Sequence, residues 1–374
     1  MGAPVRIGIS GSYGGMNLGD EAILESILQQ LRASISAEVT VFSSNPADTL
    51  ARHRVEHAVS PRALTRKEVA PVIAELDLLI LGGGGILYDQ DAQAYLREVN
   101  VAHELGVPVF VYGISAGPLT TRSARRAVRE ALNASPTTVI TVRDRQGQRL
   151  LDDVGVSHEI HLTADPALLL DPEPMGQDVW QAEGVEFTRD LVGFSVREPG
   201  PAAPDLDPEQ YHEMLANAAD FMVERYDADV LFVPMEKIDV QHSHAVVAHM
   251  RFAERAEILR RRYSPRQILD LMGRFEFAVG MRLHFLIFAA IRGTPFAALP
   301  YAPKVSGLLE DLGLDTPPLG SMGIGQLIGR IDRKWDTRRE LREQILRRMP
   351  ELKRRAARTH ELLLESLSHV RSAA

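Results

Sequence analysis

The chain has 374 residues, 45% of them apolar and 25% charged, the balance of an ordinary globular protein, which excludes bulk disorder and fibrous folds. At roughly 100–200 residues per domain there is room for two domains. A net charge of −8 argues against general nucleic-acid binding, and the lack of cysteine removes disulfides, thiolate metal sites and a cysteine nucleophile.

No apolar run approaches the ~20 residues that span a bilayer. Leu76–Leu81 is broken by Asp77, and Val107–Ile114 by Pro108 and Gly113. The N-terminus lacks the apolar core of a signal peptide, and Arg6 stands where a myristoylation motif has Ser or Thr. The expectation is a cytoplasmic enzyme.

The first half alternates short apolar runs with helical patterns. Val5–Ser10 reads as a strand, and Asp20–Leu31 as a helix with apolar positions at Ala22, Ile23, Ile27, Leu28 and Leu31. Glu38–Phe42 is a strand followed by a loop rich in Ser, Asn and Pro. Leu76–Leu81 is a buried strand that ends in four glycines, Gly82–Gly85. Ala92–Leu105 is helical, Val107–Ile114 a strand, Ser123–Leu132 helical, Thr137–Val142 a strand, Gln146–Val154 helical and Glu159–Leu162 a strand. Asp171–Gln177, with two prolines, reads as a linker.

The rhythm then restarts. Leu191–Val196 and Val230–Val233 are strands around a helix at Pro208–Arg225. Ser243–Leu259 and Pro265–Gly273 read as helices, Phe277–Gly280 as a strand, Leu283–Ile291 as a helix, Pro295–Leu299 as a strand, with a helix from about Lys304. This βα alternation predicts parallel sheets in two Rossmann-like lobes with a central cleft. The expected boundaries are 1–172, 178–325 and a basic helical C-terminus over 326–374. Residues 330–358 hold twelve Lys/Arg against five Asp/Glu, so the rest of the chain carries −15. That stretch reads either as solvated helices with internal ion pairs or as a peripheral contact to an anionic membrane face.

Ligands of such sheets bind beyond the carboxyl ends of the strands. Six loops there stand out. Gly11–Glu21 combines glycines with a helix start, which favours an anion, yet it is neither G-x-G-x-x-G nor a Walker loop. Within it Asp20 suits a first-turn acid or a proton donor. Gly82–Gly85 suits a tight turn or close backbone approach to a ligand. Tyr112–Pro118, with Ser115, is small enough to line a pocket. Arg143 ends a strand, where its guanidinium can fork onto carboxylate or phosphate, or pair with an acid such as Asp144. Arg282 and His284 lie two apart in a strand-to-helix turn, and the imidazole suits a packed residue or a general base. Lys304 opens a helix and suits a phosphate clamp or a surface charge. His242, His244 and His249 form a separate cluster near Glu236 and Asp239, but the two-residue spacing at an expected helix start is poor for a metal.

In this order the loops resemble those of the polysaccharide pyruvyl transferase family. The resemblance rests on G-x-x-G-x-x-N-x-G-D-E-A at Gly11–Ala22, the glycine run Gly82–Gly85, V-R-D at Val142–Asp144, A-D-P at Ala164–Pro166, M-R-L-H at Met281–His284 and Y-x-x-K-V at Tyr301–Val305. It is nearest in character to the bacterial cell-wall type that prepares secondary polymers to hold S-layer proteins. The resemblance implies a GT-B-like α/β fold and a transferase that uses phosphoenolpyruvate as co-substrate, with no cofactor and no metal. The product would be a sugar bearing a pyruvate ketal, with N-acetylmannosamine of a lipid-linked precursor as the expected acceptor.

By the same resemblance Arg143 and Lys304 would hold the donor's anions, helped by Arg282, with Asn17, Gly83, Gly84 and Ser115 lining the substrate. Asp20 and His284 would serve as acid and base in either order, brought together by closure of the lobes. Two other readings share these loops. A nucleotide-sugar glycosyltransferase or epimerase would bind a nucleoside diphosphate, and a non-catalytic polymer-binding protein would not need Asp20, Arg143, His284 and Lys304.

Overall fold

The computed structural model describes residues 3–89, 91–198, 207–299, 303–315 and 323–373. The chain divides into two compact units, Met1–Leu170 with Leu352–Ala374, and Asp171–Glu351.

The first unit runs β1 (Val5–Tyr13), α1 (Leu18–Ser34), β2 (Ala37–Ser43), α2 (Pro46–His53), β3 (His57–Val59), α3 (Arg66–Ala74), β4 (Leu78–Leu81), β5 (Gly84–Leu87), α4 (Ala92–Glu104), β6 (Val109–Ala116), α5 (Arg122–Leu132), β7 (Val139–Val142), α6 (Arg145–Val154) and β8 (Ile160–Leu162). Its strands pair in the order β3-β2-β1-β4-β6-β7-β8, with β5 added on β6, and every pairing is parallel. Strand order reverses between β1 and β4, the switch point where open α/β sheets open a crevice. Leu78, Leu79, Ile80 and Leu81 are all fully buried, as a central parallel strand covered on both faces requires. In α1 the apolar positions Ala22, Ile23, Ile27, Leu28 and Leu31 are buried together, so the 3.6-residue spacing seen in the sequence is the face laid on the sheet.

The second unit runs α7 (Gln177–Ala182), β9 (Leu191–Ser195), α8 (Pro208–Tyr226), β10 (Asp229–Phe232), α9 (Lys237–His249), β11 (Ala256–Ile258), α10 (Pro265–Met272), β12 (Phe277–Gly280), α11 (Leu283–Arg292), β13 (Phe296–Ala298), α12 (Pro303–Leu312) and α13 (Ile324–Asp336). Its parallel sheet has the order β11-β10-β9-β12-β13 and switches between β9 and β12. The last helix, α14 (Arg338–Ala373), starts in the second unit and ends in the first. There Arg355 donates two hydrogen bonds to the Thr163 carbonyl (3.1 and 2.7 Å), Thr359 donates to the Thr163 hydroxyl (2.8 Å), and His360 shares one with Ser34 (2.8 Å). Part of the basic surplus is engaged in ion pairs within the chain. Arg330 and Lys334 hold Asp315, Arg338 holds Glu276, and Arg358 holds Glu361 and Glu365.

Three local expectations are corrected. The segment after β2 is not one loop. Asn45 caps α2, Pro46 opens it, and Thr65 with Glu68 forms a capping box on α3. The helix expected over Ser243–Leu259 lies earlier. Asp239 reaches back to the N–H groups of Met235 and Glu236 and starts α9 at Lys237, while the Asp220 carboxylate takes the N–H groups of Arg251 and Phe252 beyond its end. The chain is thereby released into β11, and His242 falls in mid-helix rather than at a helix start. The glycine run is also not only a turn, because Gly84 and Gly85 begin β5 and pair with Ile114 and Ser115 of β6.

Candidate active site

The loop after β1 is held through side chains of α1 and α2. Glu21 is buried in α1, accepts the Gly14 N–H at 3.0 Å, and meets His53 of α2 at 2.6 Å. Asn17, expected to line the substrate, caps α1 by accepting the Gly19 N–H at 2.9 Å. That cap fixes the first turn, where Asp20 stands partly exposed.

Three of the four glycines of the Gly82–Gly85 run have a steric or backbone reason. A side chain on Gly82 would overlap the buried Tyr13 hydroxyl. On Gly83 it would stand 2.8 Å from Ile23 and 3.1 Å from the Tyr112 carbonyl, so this glycine serves close packing of α1 and β6. Gly84 has φ +98°, and a Cβ there would lie 3.2 Å from the Asp20 carboxylate (Oδ1). Gly85 is exposed, and its Cβ position is 3.8 Å from Nη2 of Arg143. The carboxylate of Asp20 and the guanidinium of Arg143 thus meet consecutive residues of one short strand, from loops 123 positions apart in sequence.

Arg143 is anchored rather than loosely displayed. Its backbone N–H donates to the Ile114 carbonyl at 2.9 Å, and Nη1 pairs with Asp165 at 2.7 Å, with side chains 4% and 6% exposed. Asp165 also caps the turn after β8 through the Ala167 N–H (2.9 Å). Asp144 lies 3.8 Å from Nε of Arg143 and caps α6 through the Gly147 N–H at 2.7 Å. Ser115, nearly buried, is the register partner of Gly85. Asp20, Gly84, Gly85, Ser115, Arg143 and Asp165 therefore gather beyond or near the carboxyl ends of β1, β4, β6, β7 and β8.

Tyrosines surround the Asp20 side of this strand. Burial pushes the Tyr13 hydroxyl well above its ordinary pKa, with the Asp20 and Glu21 charges adding to the rise. Tyr88 and Tyr95 are likewise raised by burial first, and both also feel the Asp20 charge.

In the second unit the loop after β12 carries Arg282 and His284. The expected outward cation at Arg282 is engaged. Nε donates to Asp239 at 3.0 Å and Nη2 to Glu236 at 2.7 Å, and Asp239 is fully buried. Burial raises the Asp239 carboxyl even though Arg282 pulls it down. His284 sits partly exposed in the first turn of α11, its ring 6.5 Å from that of Phe288. Lys304 is the second residue of α12, beyond β13, the strand next to β12. Tyr301, which carried part of the motif there, lies outside the described residues. His242 pairs with His212 of α8 at 3.0 Å, and burial, then the charges of His242 and His249, lower the His212 pKa. Among the described residues no group of three or more His, Asp or Glu is placed to hold a metal, and no helix is long and apolar enough to cross a membrane.

A sequence model of the polysaccharide pyruvyl transferase family matches residues 17–303. The amylovoran biosynthesis protein AmsJ of Erwinia amylovora is 20% identical over 289 residues, covering 74% of this chain and 69% of that protein. Among solved structures the chain is similar to a glycosyltransferase from Rickettsia africae (TM-score 0.64, 12% identity, all of both chains covered). It is also similar to a UDP-N-acetylglucosamine 2-epimerase, described as putative, from Listeria monocytogenes (TM-score 0.63, 11% identity, 92% of this chain and 91% of that chain). At these identities the likeness is one of fold, and it supports the α/β, GT-B-like class with a helical C-terminus.

Proposed function

Since the chain belongs to the polysaccharide pyruvyl transferase family, we propose that it moves the pyruvyl group of phosphoenolpyruvate onto two hydroxyls of one sugar unit, as a ketal, and releases phosphate. The acceptor proposed is N-acetylmannosamine in a lipid-linked precursor of a cell-wall polymer. The observation that carries the reading is the placement of Asp20 and Arg143 against Gly84 and Gly85.

The chemistry needs what these residues offer. The donor brings a carboxylate and a phosphate, and a guanidinium forks onto either. Arg143 takes that role, with Lys304 at the start of α12 as the second cation. The enol carbon C3 must gain a proton, which makes C2 electrophilic. A sugar hydroxyl then attacks C2 and loses its own proton. Loss of phosphate regenerates an electrophilic C2, and a second hydroxyl closes the ketal. One side chain that gives a proton and one that accepts it suit this sequence. Asp20 is assigned as the acid and His284 as the base. Arg282, already engaged by two carboxylates, is assigned to holding the turn that presents His284.

The test is incubation of the full chain with phosphoenolpyruvate and mannosamine-containing acceptors. Acceptor-dependent phosphate release, with a product heavier by a pyruvylidene group, is expected. Turnover of a UDP-sugar with none of phosphoenolpyruvate would overturn the proposal.

A further inference from the structure

Resting on the pyruvyl-transfer reading only for which substrate is the acceptor, we propose that Tyr88 and Tyr95, with Ser12 and Arg62 at their edge, form the subsite that seats the acceptor pyranose beside Asp20. It lies on the β1 side of the Gly84–Gly85 pair, and Arg143 on the β7 side.

The sheet order sets the two sides apart. Asp20 follows β1 and Arg143 follows β7, while the glycine pair lies between them on β5, paired to β6. Tyr95, on α4, feels the Ser12 side chain at the end of β1 and is itself only 8% exposed, so it backs that flank as part of the core. The Arg62 guanidinium stands 6.0 Å from the centre of the Tyr95 ring. Tyr88 follows β5 directly and is only half-buried, unlike the core residues Tyr13, Tyr95 and Tyr112. Its hydroxyl donates to Asp91. The next residue, Asp89, accepts the N–H groups of Thr120 and Thr121 at 2.8 Å each, which pins the backbone beside Tyr88. An accessible aromatic ring held in place before binding loses little entropy when a ligand arrives.

Charge separates the two ligands in the same way. The tyrosine flank carries the Asp20 and Asp91 carboxylates, which repel a multiply anionic donor. They accept hydrogen bonds from neutral hydroxyls, and the ring of Tyr88 offers an apolar face to the C–H face of a pyranose. Arg143 on the other flank does the reverse.

The experiment uses the full chain and a panel of probes: the methyl glycosides of N-acetylmannosamine, N-acetylglucosamine, glucose and galactose. Saturation-transfer NMR reads sugar contact, and calorimetry reads phosphoenolpyruvate binding. The wild type should transfer saturation to at least one glycoside. Tyr88→Ala should abolish that signal while keeping donor affinity within about twofold, and Tyr88→Phe should keep both. In turnover, Tyr88→Ala should raise the acceptor KM about tenfold and leave the donor KM in place. The subsite is overturned if no glycoside contacts the wild type, if Tyr88→Ala keeps the signal, or if it weakens the donor as much as the sugar. Tyr88-dependent sugar contact without phosphate release would retain the subsite and sink pyruvyl transfer. Phosphate release with Tyr88-independent sugar contact would do the opposite.

Discussion

Arg143 and Asp165, the residues just beyond β7 and β8, are joined by a 2.7 Å ion pair that is almost wholly buried. The pair orients the guanidinium so that Nη2 faces Gly85. Taking one partner from a buried pair leaves the other charge without compensation, a loss on the order of 3 kcal/mol. Asp165→Ala should therefore lower the unfolding midpoint markedly. Asp165→Asn should fold and raise the KM for phosphoenolpyruvate about tenfold while changing kcat less. Equal effects of Asp165→Asn on kcat and on both KM values would show that Asp165 only supports the fold.

Arg143 itself should be intolerant of lysine. An ammonium is a point charge and cannot fork onto a carboxylate. Arg143→Lys and Arg143→Ala should each lower kcat/KM for the donor by ~10² or more, the scale of a lost charged contact to a reacting group. Steady-state kinetics with varied phosphoenolpyruvate tests this, and a near-normal value for Arg143→Lys would remove the forked contact from the account.

Two neighbouring glycines should respond differently. Gly84 has φ +98° and its Cβ would press on the Asp20 carboxylate, so Gly84→Ala should cost about 1–3 kcal/mol of stability and also displace Asp20. Gly85 is exposed with a Cβ position 3.8 Å from Arg143, so Gly85→Ala should change stability by less than about 0.5 kcal/mol. It should still weaken the donor several-fold. Denaturation paired with donor titration tests the contrast, which fails if both variants behave alike.

A pH effect follows from His360, which joins α14 to α1 through Ser34. Burial lowers its pKa from 6.5, although Glu361 pulls it upward. Below that ordinary value the unfolded chain takes up a proton that the folded chain resists. Its contribution to stability is therefore intact above pH 6.5 and declines as pH drops through that value toward the lower folded pKa, by at most ~1.4 kcal/mol per pH unit. His360→Gln keeps a polar partner for Ser34 and does not titrate. It should lose less stability between about pH 7 and pH 5 than the wild type. Parallel urea-unfolding curves for the two would refute the assignment.

Where hydrophobic burial decided the structure, the sequence was readable. β4, β6 and β12 are apolar runs, and α1 shows its buried face in its spacing. The short α2, β3 and α3 were missed because few of their side chains enter the core, and their evidence lies in caps such as Asn45 and Thr65. The break between α9 and β11 depends on Asp220, a residue of another helix, which no local pattern reports. The site followed the same division. Loops at strand ends announced Asp20, the glycines and Arg143, because strand ends are legible. Partnerships across the fold were not. Nothing near Arg143 pointed to Asp165, and nothing near Arg282 showed that Glu236 and Asp239 would engage it. Tyr88 and Tyr95 each look ordinary in sequence, and only the fold brings both within the influence of the Asp20 charge.

In the proposed reaction the enol carbon of phosphoenolpyruvate is protonated as the sugar oxygen bonds to C2. Running the reaction in D2O and examining the product by mass spectrometry and NMR tests it most directly. Acceptor-dependent phosphate release is expected, with a ketal whose methyl group carries one solvent deuterium, and both suppressed in Asp20→Asn. Ketal formed without solvent deuterium in its methyl group, or undiminished deuterium transfer in Asp20→Asn, would contradict it.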